Sequence, residues 1–259
     1  MALHQSTPTG WRQLFSREVV LPTAVLVVVL VGWEAAVPAL EIEQYILPTP
    51  SAIAAAFVDN HGTILAELQV TLREFAIGFG LSLVSGYLLA LVMFEWKFME
   101  TTFFPYVIVI RSIPIVTLLP IFIIWFGFGS NTVIVVSYLI SFFPMVVNTL
   151  SGFQETDEQL VEMLESFSAT RREVYKNAYL YSSLPTVFAG IKISVILAFT
   201  GAIVGEFLIS DQGIGALILE YNMTFSTPAM FAAVFTVSIS ELACFGSVVA
   251  LQRYVVDWA

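Results

Sequence analysis

Residues 156–190 read TDEQLVEMLESFSATRREVYKNAYLYSSLPTVFAG. Charged groups cluster here: Asp157, Glu158, Glu162, Glu165, Arg171, Arg172, Glu173 and Lys176. Between them apolar residues return at helical spacing, first Leu160, Met163, Leu164 and Phe167, then Val174, Ala178 and Tyr181. Thr156 with Gln159, and Thr170 with Glu173, each fit a capping box, in which a hydroxyl and a Glu or Gln satisfy each other's free backbone N–H groups. The segment is therefore expected to form two short helices with a bend at Ser168, Ala169 and Thr170. Long apolar runs flank it. Polar loops rarely keep such periodicity, so the pattern marks a docking surface for something outside the membrane rather than a solvated connection.

The flanking sequence is that of a membrane protein. Of 259 residues, 58% are hydrophobic and 12% charged, with a mean hydropathy of +0.87; soluble domains carry about 25% charged residues. Six apolar runs reach the length of about 20 residues that crosses a bilayer: Val19–Leu40, Phe75–Phe94, Phe103–Phe126, Thr132–Phe153, Pro185–Ile209 and Ala229–Leu251. Backbone groups in lipid must pair internally, so these runs are expected to be helices and the fold all-α. Arg12, Arg17, Lys97, Arg171, Arg172, Lys176 and Arg253 fall in one set of connections and termini, and Arg73 in the other. Retention of basic residues on the inner side then predicts cytoplasmic termini and a cytoplasmic segment 156–184, with 41–74, 127–131 and 210–228 outside. Residues 1–18 are expected to be a cytoplasmic tail, 19–40 a first anchor and 61–252 the transmembrane domain. The positive flank and Val37-Pro38-Ala39 resemble a cleaved signal, but the apolar core is longer than a signal's and favours a retained anchor.

The net charge of −10 with three lysines, Lys97, Lys176 and Lys192, suits either a very salty cytoplasm or a basic partner. Cys244 lies in an apolar run and is read as a packing residue. His4 and His61 sit in no metal-ligand motif, so no metal site is expected. The phosphate loop, H-E-x-x-H, G-x-S-x-G and the dinucleotide fingerprint are all missing from the sequence, so neither an enzyme nor an ATP site is expected on this chain. Four ionisable residues lie within or near spans: Glu34, Arg111, Glu206 and Glu241. Such charges cost at least about 2.5 kcal/mol near a helix centre and by default line a cavity or pair. Arg111, Glu206 and Glu241 are the candidate pathway residues, while Glu34 lies close enough to the outer interface to be structural. Gly78, Ser82, Gly86 and Ala90 form a small-residue row, and Gly201 with Gly205 a GxxxG; either serves packing within the chain or a homodimer face. Pro114, Pro120 and Pro144 predict kinks or broken helices.

These residues resemble a known family. Glu162-Met163-Leu164, Ser168 and Leu184-Pro185 are similar to the EAA loop of ABC-importer membrane subunits, with Ser168 in the place of a glycine. Ile46-Leu47-Pro48-Thr49-Pro50, Thr71-Leu72-Arg73 with Gly78-Phe79, Arg111-Ser112-Ile113-Pro114, Trp125-Phe126-Gly127-Phe128-Gly129, Phe142-Phe143-Pro144, Gly205-Glu206 and Gly213-Ile214-Gly215 resemble the nitrate/sulfonate/taurine-type branch, over about residues 45–252. The resemblance implies a permease subunit of an ATP-driven, binding-protein-dependent importer of a small anion or a vitamin precursor, multi-pass in the plasma membrane. It further implies a homodimer of this chain, cytoplasmic ATPase subunits that use ATP and Mg, and an extracytoplasmic solute-binding protein. Glu162, Leu164, Phe167, Ser168 and Ala169 would couple the chain to the ATPase. The substitution of serine for glycine bears on fit, because a bend there with positive φ suits glycine and is poorly tolerated by serine. The rival class is an ion-coupled secondary carrier with Arg111, Glu206 and Glu241 as a relay. Such carriers show paired repeats that this sequence lacks, and they need no capped docking segment.

Overall fold

The structure is a computed structural model that describes residues 17–256. The expected tail 1–18 lies almost wholly outside the described residues, as do His4 and Arg12. The described part is all helix and turn: α1 Arg17–Ala39, α2 Pro50–Glu95, α3 Lys97–Arg111, α4 Ile115–Phe126, α5 Ser130–Gln154, α6 Glu158–Ser166, α7 Arg171–Val174, a π-helical stretch Tyr175–Leu180, α8 Tyr181–Ile209, α9 Ile214–Met223 and α10 Thr227–Val255. Five helical stretches are long and apolar enough to span a membrane, and six if the bent pair α3 and α4 counts as one. That agrees with the six runs expected. The chain divides into two compact units, residues up to His61 with Tyr221–Ala232, and Gly62–Glu220 with Ala233 onward.

Three boundaries depart from the sequence reading. The expected external segment 41–74 is mostly helix, because α2 begins at Pro50 and runs 46 residues without a break. At about 1.5 Å per residue that is about 69 Å, more than twice the hydrocarbon thickness of about 30 Å. The polar residues Asp59, Asn60, His61 and Glu67 disguise it, yet Ile64, Leu68, Thr71 and Phe75 are buried at helical spacing. The third run, expected over Phe103–Phe126 with a kink or break at its prolines, starts earlier and is two helices bent by 100°. Pro114 causes this, since it cannot donate to the turn before it and forces the preceding residue out of the helical region. Pro120 and Pro144 stay inside α4 and α5. Finally, the second short helix of the docking segment does not end but runs through the π stretch into α8, a continuous Arg171–Ile209 of 39 residues.

Within the larger unit the core is α5 packed antiparallel against α8, with α2 packed on both, on α5 through Gly78 at Ser137 and on α8 through Phe75 at Phe199. Ser137 lies at the crossing. A Cβ on Gly201 would sit 2.9 Å from the Ser137 Cα, and one on Gly78 would sit 2.7 Å from its Oγ. Hydroxyls tie the pair where backbones approach: Ser137 donates to the Ala198 carbonyl and Ser194 to the Ser141 carbonyl, both at 2.8 Å. The Gly201/Gly205 face and the Gly78/Gly86 row therefore serve packing within one chain. Ala90, Met93, Val107, Phe143, Val146 and Leu150 close a second cluster nearer the docking segment.

In the smaller unit the Glu34 carboxylate accepts from the Ser51 N–H at 2.9 Å and the Ser51 hydroxyl at 2.6 Å. Glu34 thereby caps the start of α2, a structural use of an intramembrane acid. Thr227 donates to the Tyr45 carbonyl at 2.9 Å, and Trp33 stacks edge-on to Phe231.

Candidate functional site

The docking segment is built from its caps. Asp157, in extended conformation, accepts from the Gln159 N–H at 2.9 Å and starts α6. The expected box of Thr156 with Gln159 is not formed. Asp157 prevails because a carboxylate gains from the positive end of the helix as well as from the hydrogen bond. Thr156 instead is buried, with a hydroxyl that has no partner among the described residues. The second box is formed: Thr170 accepts from the Glu173 N–H, and the Glu173 carboxylate accepts from the Thr170 N–H at 2.7 Å.

Between the caps the chain turns by a Schellman motif. The Ala169 N–H donates to the Leu164 carbonyl at 3.1 Å and the Ser168 N–H to the Glu165 carbonyl at 2.8 Å. The motif needs a left-handed residue, and Ser168 supplies it with φ 60. So the bend is retained although the residue is not glycine, at the expense of strain in serine. Ser168→Gly is therefore expected to raise stability by about 1 kcal/mol, from the left-handed penalty of about 1–2 kcal/mol less glycine's larger entropy loss. Thermal unfolding in detergent measures it, and an unchanged or lower midpoint would show that the serine is not strained.

The five residues expected to couple are brought together on this one turn. Glu162 and Ser168 are exposed, and Leu164 and Ala169 half-buried. Phe167 closes α6 at 78% exposure, the most exposed large apolar side chain of the segment, with Met163 at 47% beside it. Both belong to the apolar stripe that the sequence spacing marks.

The turn is fastened to the C-terminal part of α2 by contacts that sequence reading did not foresee. Arg171 pairs with Glu95, and the hydroxyls of Tyr87 and Tyr175 hydrogen-bond at 2.8 Å. Phe94, Phe153, Tyr175 and Tyr179 form the aromatic packing behind them. A cavity of about 410 Å³ opens between Glu95, Glu165, Arg171 and Tyr179. The two polar pairs join residues 76 and 88 positions apart in sequence, so no local signal reports them.

The three candidate pathway residues are not brought together. Arg111 is exposed at the last turn of α3, where its charge suits the helix's negative end. It borders a largely apolar cavity of about 450 Å³ together with Pro114, Phe143, Asn148 and Leu197, at the break between α3 and α4. Asn148, which lines the cavity, donates from its amide to the Pro144 carbonyl at 2.8 Å. Glu206 is fully buried and does not border this cavity; one oxygen accepts from the Gly215 N–H at 2.7 Å. In this conformation that oxygen anchors the start of the following helix, while the other carboxylate oxygen is buried with no hydrogen-bond partner among the described residues. Glu241 is half-buried on α10, near Cys244 and away from the same cavity. Among the described residues no cluster of acids, histidines and cysteines could hold a metal ion.

Residues 78–258 match the protein family described as "Binding-protein-dependent transport system inner membrane component". The chain is 32% identical to the formylaminopyrimidine transport permease protein of Halalkalibacterium halodurans, over 92% of this chain and 95% of that one. It is 31% identical to the riboflavin transport system permease protein of Chloroflexus aurantiacus, over 90% and 88% respectively. With the taurine transport system permease protein of Escherichia coli it shares 22% identity over 96% and 93%. Its fold is similar to that of the inward-facing methionine ABC transporter MetNI, with a TM-score of 0.65 at 16% identity, covering 76% of this chain and 98% of that one.

Proposed function

The chain belongs to the family of binding-protein-dependent transport system inner membrane components, and from that premise we propose how it carries a small solute inward. Two copies pair around a path in the plasma membrane, with termini and docking segments in the cytoplasm. Each docking segment seats in a separate ATPase subunit, which binds ATP and Mg and does the hydrolysis. An extracytoplasmic binding protein delivers the solute. ATP-driven closure of the ATPase pair moves the docking segments, and the spans follow as rigid bodies.

The observation that carries this reading is Phe167, bared at 78% on a doubly capped turn. An exposed aromatic on a pre-organised helix end is what a hydrophobic cleft grips. Met163 and Leu164 extend the apolar contact, Glu162 offers a charge-assisted bond at its rim, and the left-handed Ser168 with Ala169 sets the angle of the turn. Arg111 is the pathway residue, aimed at the cavity beside the α3–α4 break. Two relatives above 30% identity are named for a formylaminopyrimidine and for riboflavin, which supports a vitamin-type heterocycle ahead of taurine, a sulfonate or nitrate.

Cysteine labelling tests the arrangement. With Cys244→Ser as background, single cysteines at Asp157 and Asp211 are treated with a membrane-impermeant thiol reagent outside intact cells. Position 211 should react and 157 stay protected until the cells are opened; the reverse would overturn the topology and with it the docking role. The solute itself is read from the ligand that co-purifies with the binding protein, by mass spectrometry.

A further inference from the structure

The start of α9 is held in an unusual way. A helix's first N–H groups have no partner in the helix and are normally capped by a side chain just before it. Here Gly213 stands before α9 and has no side chain to offer. The three N–H groups are met instead by side chains of two other helices. Glu67 of α2 accepts from Gly213 at 2.7 Å, Thr71 of α2 from Ile214 at 2.9 Å, and Glu206 of α8 from Gly215 at 2.7 Å. Thr71 and Glu206 are fully buried.

The fit depends on glycine twice. Gly213 has φ +92, and a Cβ there would lie 2.2 Å from the Glu206 Cδ; a Cβ on Gly215 would lie 2.8 Å from its Oε2. Glu206 is three residues from the end of α8, and the helix that carries it runs unbroken from Arg171, beside the docking turn. One rod therefore bears the docking segment at one end and the cap of α9 at the other. A direct bond between the Gly129 N–H and the Ile209 carbonyl, 3.0 Å, fixes the same end to the start of α5.

We propose that Glu67, Thr71 and Glu206 are positioning residues that clamp the start of α9 to α2 and α8, so that α9 moves with the docking segment and each side of the membrane senses the other. This rests on the transport reading above. The clamp makes α9 the outer terminal of a mechanical link: a binding protein that bears on α9 bears on α8, and through it on the ATPase. Two of the three acceptors, Thr71 and Glu206, are buried, and removing a partner from a buried N–H costs more than the bond itself contributes.

The test uses the whole complex of this chain, its ATPase and solute-loaded binding protein in proteoliposomes. Thr71→Val and Glu67→Ala remove an acceptor; Thr71→Ser and Glu67→Gln keep one. The readouts are basal ATP hydrolysis, its stimulation by the binding protein, and retention of the ATPase on pull-down. The truncating variants should lose about tenfold in stimulation, the factor that corresponds to about 1.4 kcal/mol, with basal hydrolysis and pull-down intact. The conservative variants should keep most of it. Stimulation at the parental level in both truncating variants would overturn the clamp. Loss of ATPase binding together with stimulation would overturn it as well, by showing a general loss of fold. A parental chain that retains no ATPase would overturn the transport reading itself and the clamp with it.

Discussion

A complex carrying Phe167→Asp is expected to release its ATPase and lose uptake while the chain still inserts and folds. Phe167 contributes nothing to the core of this chain, being 78% exposed, so its loss leaves the bundle untouched. Buried aromatic anchors at interfaces are worth about 2 kcal/mol or more each, which alone weakens binding about thirtyfold. Aspartate adds the cost of a charge buried without a partner, so the fall should be greater still. Pull-down of the ATPase from detergent and uptake into proteoliposomes measure the two consequences. Glu162→Ala provides a graded comparison, since Glu162 is exposed at the rim and its loss should lower solute-stimulated hydrolysis without full dissociation. Parental uptake by a well-expressed Phe167→Asp chain would remove the docking role from this turn.

The second large effect falls inside the bundle. Gly201→Leu should destabilise the chain by about 3 kcal/mol, the upper part of the usual range for overpacking. The position has no slack, because its Cβ would meet the Ser137 Cα at 2.9 Å and the Ser137 N at 3.3 Å. Backbone cannot swing aside as a side chain can, so α8 must lift from α5 and the Ser137–Ala198 bond must stretch. Gly80 supplies the contrast, since nothing lies within 4 Å of its Cβ position. Gly80→Ala should be neutral or stabilise by up to about 1 kcal/mol, as expected for glycine in a helix interior. Thermal unfolding of the purified chain separates the two variants. A similar midpoint for both would mean that the α5–α8 crossing is looser than the 2.9 Å approach implies.

Much of the docking turn was legible because its signals are local. A capping box at Thr170, the spacing of Leu160, Leu164 and Phe167, and the break at 168–170 are all read within one or two helical turns. The error at Thr156 is instructive. Thr156 and Asp157 are both competent caps, and sequence cannot say which backbone will be extended; the helix field and the packing that buries Thr156 decide it. The hidden first half of α2 failed for another reason. Its polar residues depress the hydropathy that marks a span, although its buried positions keep a helical period that a search for amphipathic rather than apolar segments would have caught.

Of the intramembrane charges, the sequence determined only that each needed a use, since an ionised group in lipid is costly wherever it sits. The tertiary structure places three of the four: Glu34 at the start of α2, Glu206 at the start of α9, and Arg111 at a cavity edge. The residues that complete these sites, Ser51, Gly215 and Asn148, come from other helices or across a turn, and distance along the chain carries no record of them. Composition, periodicity and caps depend on neighbours within a few residues, so the all-helical membrane fold, the apolar spans and the capped turn at Ser168 follow from the sequence itself. Which acid faces a backbone and which charge faces a cavity depends on how α2, α5 and α8 pack, and packing is settled by approaches such as Gly201 on Ser137 that only the folded chain creates.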